Sequence, residues 1–334
     1  MKKFSHAWLA FMAIKRLDDK KQDINETDRK HAESLIEWFM NHKDKVVQGA
    51  WFPDELIKDM ADKHVLKFAP ADKAPPDTVS IPPEKLKALP PEYLIFKYGK
   101  DSPVRQQAFN VVDKNDNLPD RCESLAEAVV DQLKVQEYED KGSPVSPTDN
   151  QVVLWLFMLS HYVADAHVPV HCDSRQFSEG ENIHGKLEKA WDDEIKKYYR
   201  LNSQKTRFLY DTEGYPAASG DLSTDKAYQE SFLKAVADEL NKRKFDSSFG
   251  KDNKNVWDFM NAICHNSYLI SYRFFPPGYG PDNVTAKNWK ELAPDFSLHQ
   301  VSTAVLTDAI DSISRVWFRV WRRYEVWEKK KKQK

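Results

Sequence analysis

Between residues 161 and 171 the chain reads His-Tyr-Val-Ala-Asp-Ala-His-Val-Pro-Val-His, directly after an apolar run from Val152 to Leu159. Imidazole nitrogens and carboxylate oxygens are donors that hold zinc. If the run is helical, His161 and Asp165 lie four residues apart and share one face. Pro169 ends such a helix, because its ring excludes further helical turns, and His171 can then turn back toward the same space. His184 and Glu188 repeat the four-residue spacing downstream. Two such pairs joined by a third histidine predict a metal site built between neighbouring helices.

Other residues of the same types receive plainer readings. A lone histidine on an amphipathic helix is ordinarily a satisfied surface or core residue, which is the expectation for His31, His42, His265 and His299. His167 lies inside the motif and is read either that way or as a group orienting a ligand through its other ring nitrogen. Cys172 adjoins His171 but is expected to be a small buried thiol. With Cys122 and Cys264 it makes three scattered cysteines, too few for a disulfide framework or a thiolate zinc site.

The elements that must position these residues are helices. Only 10 glycines in 334 residues, few alternating stretches and long segments of helical period predict an all-α chain. Helices are expected at about 5–17, 27–43, 54–66, 123–139, 150–166, 182–199, 224–243, 253–274 and 298–328, with Ser5, Thr27 and Ser124 as caps. Seven prolines between Pro70 and Pro91 exclude helix there. Long loop insertions are therefore expected at about 68–119 and 200–223, within a single domain spanning 1–334. Trp317, Trp321 and Tyr324 share a face of the last helix, ahead of a basic tail at about 328–334. That face is read as core packing, with a weak membrane-surface contact as the alternative.

Charge and hydropathy narrow the partners. Fifty basic residues nearly balance 52 acidic ones, so no global field draws the chain to nucleic acid or membrane. No stretch approaches about 18 uncharged apolar residues, and the start lacks a small-residue cleavage site. The sequence as written therefore reads as cytoplasmic, or as secreted if Met1 stands in for a processed terminus.

The pattern His161-Tyr-x-x-Asp165-x-x-x-Pro169-x-His171, followed by His184-x-x-x-Glu188, resembles the signature of the zinc-dependent phospholipase C and single-strand-specific zinc nuclease superfamily. The resemblance implies an all-helical fold with three zinc ions in a cleft, and further ligands at matching positions. His6 stands five residues after Met1, the nuclease spacing, and the first residue would bind zinc through its amine and carbonyl oxygen. Lys2 is bulky enough to keep the initiator methionine in place, so Met1 itself is the expected ligand. Gly49-Ala-Trp51-Phe-Pro-Asp54 is similar to the family's aromatic turn carrying an aspartate, and His64 follows. His184 with Glu188 matches the phospholipase form, while Trp191-Asp192 resembles the end of the nuclease motif and leaves Asp192 as an alternative to Glu188. His161-Tyr162 is phospholipase-like, Asp165-x-His167-x-Pro169-x-His171 is nuclease-like, and Ala164 replaces the usual glycine. The match spans residues 1–192 and does not choose a substrate.

On that resemblance, Asp54, His64, His161 and Asp165 would hold one zinc. Asp165 would bridge to a second, completed by His6 and Met1, and His171, His184 and Glu188 would hold the third. Such ions lower the pKa of bound water from about 15.7 toward about 7 and neutralise phosphoryl oxygens, which is phosphodiester hydrolysis without an amino-acid nucleophile. Asp54 is the expected proton acceptor, and Lys67 or Arg175 the candidate phosphate contacts. The substrate is a phospholipid or a nucleic acid or nucleotide; Trp51 and Tyr98 would serve base stacking in the second case. The expected protein is a monomer. The competing expectation is a zinc-binding but catalytically inactive relative acting through protein or membrane contacts.

Overall fold

The computed structural model describes residues 1–58, 61–70, 79–80, 93, 109–111, 116–138, 146–251 and 255–332. These residues are mostly helical. The helices are α1 (Lys3–Lys20), α2 (Glu26–His42), α3 (Val46–Gly49), α4 (Leu118–Tyr138) and α5 (Asp149–Asp165), followed by α6 (Ile183–Tyr198), α7 (Lys226–Gln229), α8 (Phe232–Lys242), α9 (Val256–Phe274) and α10 (Leu298–Lys332). Three short strands, β1 (Phe68–Pro70), β2 (Val79–Ser80) and β3 (Phe109–Val111), pair antiparallel in the order β1-β3-β2. They fall in the expected 68–119 loop, most of which lies outside the described residues. Residues 200–223 carry no helix; isolated bridges Leu201–Phe208 and Tyr210–Pro216 fold them back on themselves.

α10 is the spine of the packing. Every residue from Val301 to Arg322 is buried, and the helix packs against α1, α2, α4, α5, α8 and α9. Trp317 and Trp321 face the core: the Trp317 indole N–H donates to Leu156 O at 2.9 Å, and Trp321 donates to Ser34 Oγ and Glu325 Oε1. Charges are buried along the same helix. Asp311 accepts from Arg315 Nε at 2.7 Å and from Arg16 Nε at 3.2 Å, while Asp308 pairs with Arg243 at 2.8 Å. No helix among the described residues is long and apolar enough to cross a membrane.

Several local expectations are corrected. The segment 54–66 is a π-helical turn at Pro53–Ile57 and a 3-10 turn at Ala61–His64. Lys58, left-handed at φ 48°, closes the first turn by donating its N–H to Pro53 O at 2.8 Å. The segment 224–243 is two helices, because Asp225 and Ser231 each accept a main-chain N–H and restart the chain. None of the three expected caps is one. Asn25, not Thr27, accepts the Asp28 N–H at 3.0 Å to start α2. Ser124 lies inside α4, which starts where Asn117 and Asp120 exchange hydrogen bonds. Ser5 lies inside α1, whose first-turn N–H groups at Phe4 and Ser5 are instead taken by Asp192 Oδ1 at 2.9 and 3.0 Å.

Candidate metal centre

α5 supplies the central pair. A reciprocal capping box between Thr148 and Gln151 starts this helix, and it ends at Asp165, so His161 and Asp165 occupy its last turn and a half. Gly49 brings α3 close to α5: a Cβ there would lie 2.9 Å from the Phe157 ring. That approach delivers the Ala50 carbonyl to His161 Nδ1 at 2.7 Å. Val168 is extended, Pro169 opens a 3-10 turn to His171, and His171 Nδ1 reaches the His64 carbonyl at 3.1 Å. Asn182, left-handed at φ 51°, caps α6 by accepting the Gly185 N–H, and α6 presents His184 and Glu188 on one face.

Donor atoms from these elements converge. His64 Nδ1 lies 2.9 Å from Asp165 Oδ2, and His161 Nε2 lies 3.2 Å from both of those atoms. Asp54 Oδ1 stands behind them, 3.7 Å from His161 Nε2 and 3.9 Å from His64 Nδ1. A second group joins His171 Nε2, His184 Nε2 and Glu188 Oε1 at 2.7 to 3.2 Å from one another. The Met1 amine lies between the groups, 2.9 Å from Asp165 Oδ1 and 2.8 Å from Glu188 Oε1. His6 Nε2 is 3.5 Å from Asp165 Oδ1, and its ring stacks on His161 with centroids 3.8 Å apart. All nine sequence-derived candidates therefore meet in one place, from positions as far apart as 1 and 188.

The hydrogen-bond accounting favours a cation here. A carbonyl only accepts, so the rings of His161 and His171 donate through Nδ1 and turn Nε2 inward. Each Nε2 faces a carboxylate oxygen, the arrangement that two ligands of one ion adopt. His6 sharpens the point: both of its ring nitrogens are buried and find no hydrogen-bond partner among the described residues. Burial holds the His6 and His171 imidazoles below their ordinary pKa, which keeps them in the neutral, ligating form. Burial would also raise Asp165 and Glu188, but the amine and the nearby histidines outweigh it and hold both well below the carboxylate range. The amine is pushed down by burial and pulled further up by Asp165 and Glu188, to about 10. Three groups, His6-Asp54-His161, His64-His161-Asp165 and His171-His184-Glu188, are compact enough to hold a metal ion. Their nitrogen and oxygen donors, without a thiolate, suit zinc or a similar first-row ion.

Other expectations are redirected. Asp192, the alternative to Glu188, caps α1 and pairs with Lys196 at 2.9 Å, so it fixes the position of Met1 without entering the donor groups. Arg175 is not a phosphate contact. Its guanidinium is bound to both Asp173 oxygens and to the carbonyls of Phe275, Pro276 and Tyr279, and it stacks on Tyr272. His167 Nε2 bonds Ser312 Oγ at 2.8 Å rather than orienting a ligand, and Cys172 is a buried thiol. Trp51 packs 6.3 Å from the His6 ring, and Tyr98 lies outside the described residues. The groups open into a cleft of about 500 Å³, whose lining includes Lys2 and Lys58. Neither lysine is marked as a cleft contact by the sequence, where Lys2 figures only as the bulky neighbour of Met1. No family model matches the chain, and no curated protein matches it.

Proposed function

We propose that this protein is a zinc-dependent phosphodiester hydrolase of the superfamily its motif resembles. The observation that carries the reading is the inward convergence of five imidazoles, three carboxylates and a main-chain amine beneath an open cleft. Asp54, His64, His161 and Asp165 would hold one ion; Met1, His6 and Asp165 a second; His171, His184 and Glu188 a third. When bound, zinc supplies an acidified water and positive charge against the phosphoryl oxygens.

The chain's own residues do the rest. Carbonyl bonds from Ala50 and His64 keep the ligating rings in the required tautomer, which a metal site needs from its surroundings. Asp54 is the carboxylate that water reaches, 34% exposed against 2% for Asp165 and 6% for Glu188. It accepts a proton from the attacking water. The water oxygen bonds phosphorus, the P–O bond to the leaving group breaks, and that proton passes from Asp54 to the leaving oxygen. The water's second proton stays with the phosphomonoester.

Metal analysis and a panel of lipid and nucleotide diesters, run on untagged protein, test this. The expected result is zinc near three equivalents and hydrolysis that a chelator abolishes and zinc restores. Full zinc content without turnover on any diester would mark a catalytically inactive zinc protein instead.

A further inference from the structure

The charge lining the cleft speaks to what part of a substrate it takes. Seven lining residues are the candidate ligands, and the four that remain are Lys2, Pro53, Lys58 and Val65. Every carboxylate lining the cleft is therefore turned toward the donor groups, and both remaining charges are positive. Lys2 Nζ lies 3.3 Å from Glu188 Oε2 with its side chain 44% exposed, so it sits at the edge of the His171-His184-Glu188 group. Lys58 lines the same cleft from the left-handed turn that follows Asp54, exposed and in no ion pair with a described residue. No Phe, Tyr or Trp lines the cleft among the described residues, and its only apolar side chains are Met1, Pro53 and Val65.

A quaternary ammonium is recognised by aromatic faces or spare carboxylates, and an acyl chain by apolar walls. Among the described residues the cleft walls offer neither. Two cations flanking the donor groups match an anion beyond the one being hydrolysed. Resting on the hydrolase reading above, we infer that Lys2 and Lys58 select phosphodiesters that carry a second phosphate, and reject those with a cationic headgroup.

Calorimetric titration of untagged, zinc-loaded protein with 1,3-propanediol bisphosphate, propyl phosphate and phosphocholine tests the selection directly. The bisphosphate is expected to bind on the order of tenfold more tightly than phosphocholine, with propyl phosphate between them. Lys58→Glu is expected to erase that difference while leaving zinc content unchanged, because Lys58 lies outside all three donor groups. Equal affinity for the three probes, tighter phosphocholine, no binding at all, or a Lys58→Glu protein with unaltered preference would each overturn the inference. Turnover of the matching diesters is read separately. Selective binding without turnover sinks the hydrolase and leaves the charge selection standing; turnover without selectivity does the reverse.

Discussion

Two main-chain carbonyls decide what the central imidazoles can do. With Nδ1–H spent on Ala50 O and His64 O, His161 and His171 have only Nε2 to offer, and both offer it inward. The Met1 amine has a comparable constraint, because any acyl group on it removes the lone pair that a metal would take. A few residues added ahead of Met1 are expected to lower bound zinc by about one equivalent and abolish hydrolysis. Metal analysis of the extended and untagged proteins decides this, and full zinc content with full rate in the extended form would refute it. Asp54 differs from the other carboxylates in being reached by water. Asp54→Asn is expected to lower kcat by on the order of 10² or more, as the loss of a proton acceptor does, with the helical circular-dichroism signal retained.

At the scale of elements, α6 carries more than its two donor residues. One turn after Glu188, Asp192 accepts the first free N–H groups of α1 and so sets where that helix, and the amine at its head, can lie. Asp192→Ala is expected to cost about 1 kcal/mol of stability as a lost cap, together with zinc bound near Met1 and His6. Asp192→Asn, which keeps an accepting oxygen, is expected to retain most of both; urea denaturation and metal analysis read the two effects. This contact also shows where sequence reading stops. His161 with Asp165 and His184 with Glu188 were legible because a helix turns local spacing into a shared face. Thr148 and Asn25 were equally local signals but were passed over as caps. Asp192 capping α1 from 188 residues away leaves no local trace. The helix expected at 54–66 fails for a local reason: Lys58 adopts a left-handed conformation that its residue type does not advertise. Arg175 looked available by position, yet Asp173 and three carbonyls from beyond α9 occupy it.

Across the whole molecule, α10 ties the site-bearing elements together without entering the site. Ser302 accepts from Trp191 on α6, Trp317 donates to Leu156 O on α5, and Ser314 Oγ donates to Ala13 O on α1. Its buried charges must balance for this to hold. Asp311→Asn leaves buried Arg16 without its carboxylate and Arg315 with Asp246 alone, and is expected to cost about 3–5 kcal/mol in urea denaturation. Burial raises the Asp311 carboxyl, but Arg315, Arg16 and Arg243 outweigh it and hold it below its ordinary value. A depressed carboxylate contributes stability above its unfolded pKa of about 4 and loses it as pH falls below that point. The wild-type urea midpoint should therefore fall more steeply from pH 5 to pH 3 than that of Asp311→Asn. The Met1 amine carries a last consequence, since its two carboxylate partners lie 164 and 187 residues downstream. A fragment that stops between α5 and α6 keeps Asp165 but lacks Glu188, so it can hold this amine from one side only.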